Sequence, residues 1–303
     1  MIFLYHGIVP DSAPPELWSA GQALPFANFK SHILSLARRF CIVPLEQLLE
    51  NSQSKRPNTK LLSITFDDGL ETTFRQVNSF LGEQNVPATF FVTTDHLEHG
   101  RLLWFSYLNA LCYETTYESV NVSGDIFPLR TVSQRKLVRR KLSKLARASG
   151  DPSQFSNKLK ESYPLPNEVT VRYEGMNYEQ LKTVGRSTLI EIGSHTLTHP
   201  YLSQKSKSEQ AREVIESKNL LSELTGKAIR YFAYPGGDYN RDTLQLVKEA
   251  GYEAAFATIP LRIGSASEFE IERVGVYSPS LIKLNLKAIG ITKLARRVGL
   301  RIG

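Results

Sequence analysis

The stretch Ser63-Ile64-Thr65-Phe66-Asp67-Asp68-Gly69 contains the pattern that best predicts both the fold and the chemistry of this chain. The mainly apolar run Leu61–Phe66 predicts a buried strand, which ends in two adjacent carboxylates and a glycine. Successive side chains on a strand point to opposite sides. One carboxylate can therefore face a metal ion while its neighbour stays free to accept a proton.

A second motif, Gly193-Ser194-His195-Thr196-Leu197-Thr198-His199-Pro200, follows another apolar stretch. Two histidines four residues apart and one aspartate form a two-His-one-carboxylate set with open positions for water and substrate. Alone, the Asp-Asp-Gly turn is also typical of a helix cap, and histidine pairs also occur in cores. Both motifs together, each at a predicted strand end, predict a metal site formed by Asp68, His195 and His199.

Strand and helix patterns alternate along the chain, which predicts an α/β fold with a parallel sheet, either open or rolled into a barrel. His6, Asp67, Asp68, His195 and Tyr234 each lie at the C-terminal end of a predicted strand. Active sites of β/α barrels gather at that face. The predicted strands are residues 2–6, 61–66, 88–93, 189–194, 230–234, 253–258 and 271–276, and the predicted helices are residues 26–40, 70–84, 208–224 and 241–250.

The 303 residues suffice for one large α/β domain. There is no apolar run near the ~18 residues of a membrane span. The first residues lack a basic region and a cleavage site, so they predict a strand and not a signal peptide. Two cysteines in apolar or aromatic surroundings are interpreted as reduced, buried thiols. These features together predict a cytoplasmic protein with a single catalytic domain over residues 1–303.

The net charge of +7 comes from two segments. Residues 131–149 contain seven basic residues and no acidic one. They belong to a predicted insertion, residues 98–174, which is interpreted either as a lid that attracts a phosphorylated or acidic glycan or as scaffold. Residues 281–303 contain six basic residues on an amphipathic pattern, which predicts either peripheral contact with an anionic membrane or a packed terminal helix. Aromatic residues do not alternate with these charges, so a nucleic-acid partner is not expected.

Three motifs resemble those of the polysaccharide deacetylases, the NodB-homology or fourth carbohydrate-esterase family. The motifs are residues 65–69, residues 194–200 and Phe232-Ala233-Tyr234-Pro235-Gly236-Gly237. The resemblance implies a distorted (β/α) barrel of the NodB type with a helical insertion. It also implies metal-dependent removal of an N-acetyl group from a sugar, with Asp67 as general base and Asp68, His195 and His199 as ligands. Zinc is the expected ion, and cobalt, manganese and nickel suit the same ligands.

The third motif departs from the family pattern. An arginine that pairs with the base aspartate is usual two residues before the proline, where this chain has Ala233. Arg230 and Arg273 are both candidates for its replacement, and the sequence does not choose between them. The residue after the proline is commonly aromatic, and its backbone N–H serves the oxyanion. Gly236 can supply this N–H but no ring.

The family's late motif with a catalytic-acid histidine is missing, because no histidine follows His199. Leu4-Tyr5-His6-Gly7 resembles the N-terminal element of members in which this motif is permuted to the front. The first and last strands of a closed barrel are neighbours, so the permutation keeps the geometry. His6 is therefore the candidate general acid, and an ordinary strand-end histidine is the alternative.

The sequence thus predicts a metal-dependent N-deacetylase that acts on a polysaccharide, an oligosaccharide or a glycoconjugate precursor. One alternative keeps the metal centre and hydrolyses a non-sugar amide or imide. Another is a catalytically silent carbohydrate-binding module, which the four intact residues Asp67, Asp68, His195 and His199 argue against.

Overall fold

A computed structural model describes residues 1–13, 23–264 and 267–291 of the chain. Its centre is a parallel sheet that rolls into a nearly closed barrel. The strands are β1 (Ile2–Tyr5), β2 (Gly7–Val9), β3 (Ala23–Pro25), β4 (Cys41–Ile42), β5 (Leu61–Phe66), β6 (Ala88–Val92), β7 (Ser119–Val122), β8 (Asp125–Pro128), β9 (Ile190–Ser194), β10 (Tyr231–Ala233), β11 (Ala254–Ala257), β12 (Ile271–Glu272) and β13 (Val274–Gly275).

The barrel closes through one short segment of chain. The strand order is β12-β11-β10-β9-β6-β5-β1-β13, so the two ends of the sheet are consecutive in sequence. Ile271 pairs with Phe256 of β11, whereas Val274 pairs with Phe3 of β1. The predicted strand 271–276 is therefore split at Arg273, which lies at the seam. The predicted distorted (β/α) barrel is confirmed.

Helices surround the barrel and cover its apolar strands. Helix α1 buries Phe29, Ile33 and Leu36 on one face, as its period predicts. Apart from the split strand 271–276, each predicted element agrees with an observed one to within three residues. The sequence does not predict the helices Leu45–Gln53 and Tyr178–Gly185, and β2, β3 and β4 are too short for a readable period. The helices are α1 (Phe26–Ala37), α2 (Leu45–Gln53), α3 (Glu71–Glu83), α4 (Trp104–Tyr113), α5 (Val132–Ala148), α6 (Pro152–Ser162), α7 (Asn167–Thr170), α8 (Tyr178–Gly185), α9 (Lys207–Thr225), α10 (Arg241–Glu249) and α11 (Leu281–Ala288).

Residues 98–174 connect β6 and β9, which are neighbours in the barrel. The segment contains helices α4 to α7 and the antiparallel pair β7–β8. It has a hydrophobic cluster of its own, which includes Trp104, Leu108 and Leu142. A reciprocal cap between Thr131 and Gln134 starts the basic helix α5. This separate packing holds α5 against the other helices of the insertion.

The basic C-terminal segment is only partly described. Helix α11 buries Leu284 and exposes Ile282, and residues 292–303 lie outside the described residues. Contact of residues 281–303 with an anionic membrane therefore stays a prediction. Within the described ranges, the helices are too short or too polar to cross a bilayer. Both cysteines are free, but Cys41 is exposed, so the expectation of a buried thiol is right only for Cys112.

Candidate metal centre and active site

The turn after β5 separates the two adjacent carboxylates. The backbone N–H of Asp67 donates to the Tyr5 carbonyl at 3.1 Å, which continues the strand pairing by one residue. Asp68 then has φ +76° and Gly69 φ +74°, both in the left-handed region. A Cβ on Gly69 would lie 2.9 Å from Cγ1 of Val92. The turn therefore needs a glycine after Asp68 and directs the two carboxylates to different partners.

A second strained turn follows β9. Thr196 and His199 have φ values of +70° and +58°, which non-glycine residues rarely adopt. Glu213 on α9 accepts from the backbone N–H groups of Leu197 and Thr198 at 2.9 and 2.8 Å, and from the Thr198 hydroxyl at 2.6 Å. These bonds hold the turn that carries both histidines. The sequence did not indicate Glu213, because it lies on helix α9, outside the histidine motif.

The structure brings Asp68, His195 and His199 together. Oδ1 of Asp68 lies 3.5 Å from Nε2 of His199 and 3.7 Å from Nε2 of His195, and the three atoms lie within 4.8 Å of one another. Asp68 Oδ1 is buried and has no hydrogen-bond partner among the described residues. An orphaned carboxylate oxygen that faces two imidazole nitrogens is a donor set that fits a divalent cation.

The tautomer of His195 also fits this role. Its Nδ1 lies 2.8 Å from the Ala233 carbonyl oxygen, which can only accept, so Nδ1 carries the proton and the Nε2 lone pair points to the site. Burial lowers the pKa of His195. Burial also lowers the pKa of His199, and the neighbouring His195 lowers it further. Both imidazoles are therefore neutral at pH 7, as metal ligands must be. Burial, and then the negative charge of the adjacent Asp67, raise the pKa of Asp68, so the ionised form of Asp68 is disfavoured. A bound cation would stabilise this ionised form.

Asp67 pairs with Arg273 in a bidentate contact. Nη1 and Nη2 donate to Oδ1 and Oδ2 at 2.6 and 2.7 Å, and both side chains are buried. Burial alone would raise the pKa of Asp67, but the Arg273 guanidinium and His195 lower it to about 2. The Arg273 guanidinium carbon also lies 4.9 Å from the centre of the Phe91 ring. Arg273 thus takes the role of the arginine that is usual in the family at the position of Ala233.

Arg230, the other candidate, does not reach Asp67. It precedes β10, and its guanidinium donates to Glu46 at 2.6 Å and to Glu191 at 3.0 Å. The prediction that Arg230 could pair with the base aspartate is wrong, because its side chain lies at the N-terminal end of its strand. The candidate metal centre lies at the C-terminal ends.

His6 follows β1 and lines the same cavity as Asp67, Asp68 and the two other histidines. Its Nδ1 is buried and has no hydrogen-bond partner in the described part of the chain. Burial lowers the pKa of His6 to about 4, with further lowering by Arg273 and His195 and an opposing effect of Asp67. The structure therefore places His6 beside the candidate metal centre, with a free ring nitrogen.

Gly236 lies at the turn after β10 with φ +60° and lines this cavity of about 180 Å³. A Cβ at Gly236 would lie 3.2 Å from Cε1 of Tyr201, so the Tyr201 ring occupies the space beside the glycine. Tyr201 supplies the aromatic wall that Gly236 does not. The sequence carries a sign of this, because Tyr201 directly follows the second motif. Other lining residues come from the insertion, namely Trp104, Phe105, Arg139 and Arg147.

A nearly closed parallel barrel with this cluster at the C-terminal ends of its strands is a (β/α) barrel of the NodB type. The sequence profile described as polysaccharide deacetylase matches residues 54–255, more than half of the chain. The chain therefore belongs to the polysaccharide deacetylase family.

One relative and two solved structures are similar to this chain over most of its length. YxkH of Bacillus subtilis (strain 168), classed with the polysaccharide deacetylases, is 22% identical over 288 residues, which are 92% of this chain and 72% of YxkH. IcaB from Ammonifex degensii has a TM-score of 0.60 at 17% identity, covering 95% of each chain. The deacetylase PplD of Streptococcus pyogenes, solved with acetate, has a TM-score of 0.59 at 18% identity, covering 95% of this chain and 96% of PplD. At these identities the structural likeness shows the fold.

Proposed function

We propose that the protein is a metal-dependent carbohydrate N-deacetylase. Asp67 is its general base, Asp68, His195 and His199 are its metal ligands, and His6 is its general acid. The observation that carries the proposal is that the two adjacent aspartates have different partners. Asp67 is bound by Arg273, whereas Asp68 points an unpartnered oxygen at two imidazole nitrogens.

A divalent ion held by these three residues, zinc or else cobalt, manganese or nickel, would polarise the amide carbonyl and lower the pKa of water. Asp67 is ionised throughout the neutral range because its pKa is about 2, so it can accept the proton of the attacking water. Arg273 fixes the orientation of this carboxylate through both oxygens. The backbone N–H of Gly236, which lines the cavity, is the proposed donor to the developing oxyanion.

The leaving amine needs a proton, and His6 is the proposed donor. His6 is neutral near pH 7 in the free protein because its pKa is about 4. The proton that it donates is therefore the one that Asp67 has accepted from the attacking water, which passes to His6 and then to the amine nitrogen. The His6 position after β1 takes the place of the missing late motif, because β1 pairs with the closing strand β13.

The two alternatives, a hydrolase of non-sugar amides or imides and a silent carbohydrate-binding module, differ in which site residues they require. A non-sugar amide or imide would use the same centre, and membership of a carbohydrate-directed family favours a sugar. A silent carbohydrate-binding module would need neither an ionised base nor a ligand set. The buried Asp67–Arg273 pair and the orphaned Asp68 oxygen argue against a silent module.

The test is acetate release from N-acetylated sugars, oligosaccharides, nucleotide sugars and lipid-linked glycans, with non-sugar amides and imides in parallel. We expect release from at least one carbohydrate, loss after chelation and recovery with zinc. Asp67→Asn should bind metal normally and lose about 10²–10⁴-fold in rate. Activity on the non-sugar amides alone would contradict the sugar assignment. Failure to bind any divalent metal on reconstitution would contradict the metal centre and favour the binding module.

A further inference from the structure

The wall of the active-site cavity opposite the barrel is basic. Arg139 and Arg147 of helix α5 line the same cavity as Asp68 and His199. The two arginines lie eight positions apart on one helix, so they are on the same face. Of the described residues that line this cavity, the acidic ones are Asp67 and Asp68, and Asp67 is already paired with Arg273.

The partners found for Arg139 are neutral. Its Nε donates to Oδ1 of Asn109 at 2.6 Å, and Nη1 donates to the hydroxyl of Ser143. Burial lowers the pKa of Arg139; Cys112 and Tyr113 oppose this, and the positive charge of Arg147 lowers it further. Two guanidinium groups in one cavity repel each other electrostatically, and a bound anion would relieve this repulsion.

A series of aromatic contacts connects Arg147 to the candidate metal centre. The guanidinium carbon of Arg147 lies 5.8 Å from the centre of the Tyr201 ring, which occupies the space beside Gly236. The Tyr201 ring lies 6.4 Å from Trp104, and the neighbouring Phe105 lies 5.0 Å from the His199 ring. An anionic group bound by the arginines would therefore lie in the same cavity as the metal centre, where one ligand could contact both.

We propose that Arg139 and Arg147 bind a phosphate group carried by the N-acetylated sugar substrate. This inference rests on the proposed deacetylase function and adds the class of substrate. Phosphate is favoured over carboxylate because a dianion balances both guanidinium charges and offers oxygens to two planar forks, whereas a carboxylate balances one. The phosphate can belong to a free sugar phosphate or to the diphosphate of a nucleotide-linked or lipid-linked sugar.

The first test is equilibrium binding by calorimetry to the full chain loaded with zinc and carrying Asp67→Asn, so that ligand is not consumed. N-acetylglucosamine 1-phosphate should bind at least about tenfold more tightly than N-acetylglucosamine. Arg139→Gln and Arg147→Gln should each remove about tenfold of this affinity. Lys144→Gln is the matched control, because Lys144 is an exposed residue on the same helix and its change removes the same charge.

A folding defect is separated from loss of the anion site in two ways. Zinc content should be equal in all variants, since phosphate could otherwise bind through the metal alone. Arg139→Lys keeps the positive charge and should retain more affinity for the phosphate than Arg139→Gln. Equal affinities for the phosphorylated and unphosphorylated sugars, or equally tight binding of N-acetylmuramic acid through its carboxylate, would overturn the inference.

Acetate release distinguishes this inference from the proposed function. If acetate is released with no preference for phosphorylated sugars and no effect of either arginine variant, the phosphate inference fails and the deacetylase proposal stands. If phosphorylated sugars bind through the arginines and none releases acetate, the deacetylase proposal fails and the phosphate site stands. A higher kcat/KM for UDP-N-acetylglucosamine or a polyprenyl-diphosphate sugar than for the monophosphate would identify which source supplies the phosphate.

Discussion

Arg273 and Asp67 form a bidentate ion pair at the seam where the barrel closes. Arg273 separates β12 from β13, so the residue that joins the two ends of the sheet also orients the proposed base. Its backbone N–H donates to Ala257 at 2.8 Å, and Val276 donates to Leu4 at 2.8 Å. Barrel closure and the protonation state of Asp67 are therefore coupled through one side chain.

Removal of this guanidinium should shift the acid limb of the pH profile. Asp67 has a pKa of about 2 because Arg273 and His195 outweigh burial, which acts in the opposite direction. In Arg273→Gln, burial dominates and the pKa of Asp67 rises, so kcat/KM should fall with decreasing pH from a higher pH than in wild type. Profiles between about pH 4 and pH 7 measure the shift. Arg230→Gln is the control, and an acid limb that moves equally in both variants would contradict the assignment of Arg273.

Replacement of His6 should impair the chemical step and leave the metal in place. His6→Ala should lower kcat about 10²–10⁴-fold, because the leaving amine loses its proton donor. Metal content should match wild type, since the proposed ligands are three other residues. His99→Ala provides the comparison, because the His99 side chain is 79% exposed and pairs with Glu174. A near wild-type rate for His6→Ala with metal bound would rule out the acid role.

Glu213 positions the turn that carries the proposed histidine ligands, and its removal should weaken metal binding. In Glu213→Ala, three hydrogen bonds to Leu197 and Thr198 are lost, and the metal Kd should rise about 10–100-fold. Competition with a chelator of known affinity measures this change. Glu216→Ala on the same helix is the control, because Glu216 is exposed and pairs with Arg212. An unchanged metal Kd in Glu213→Ala would show that the turn holds without it.

A side chain at Gly193 should destabilise the barrel. A Cβ there would lie 2.6 Å from two carbons of the Phe91 ring, which packs on Arg273. Gly193→Ala should therefore cost about 1–3 kcal/mol of unfolding free energy, measured by urea denaturation. At Gly82 of α3 a Cβ meets nothing within 4 Å. Gly82→Ala should be neutral or gain up to about 1 kcal/mol from helix propensity, and equal effects at both positions would contradict the packing argument.

Local patterns predict most of the barrel. Strand β5 has the predicted bounds, and α1 and α9 lie close to theirs, because apolar period and capping are properties of neighbouring residues. The strands β12 and β13 have two residues each, which is too few for a period to be readable. The split at Arg273 is therefore visible only once the sheet has closed.

In the candidate site, too, some residues were indicated by the sequence and others were found only in the structure. The sequence by itself determined the strand-end motifs with Asp67, Asp68, His195 and His199, because ligand spacing is encoded over a few adjacent residues. Only the tertiary structure chose Arg273 over Arg230 and placed Glu213, Tyr201, Arg139 and Arg147 around the motifs. These partners come from distant segments, and which of them meet depends on barrel closure and on the packing of the insertion.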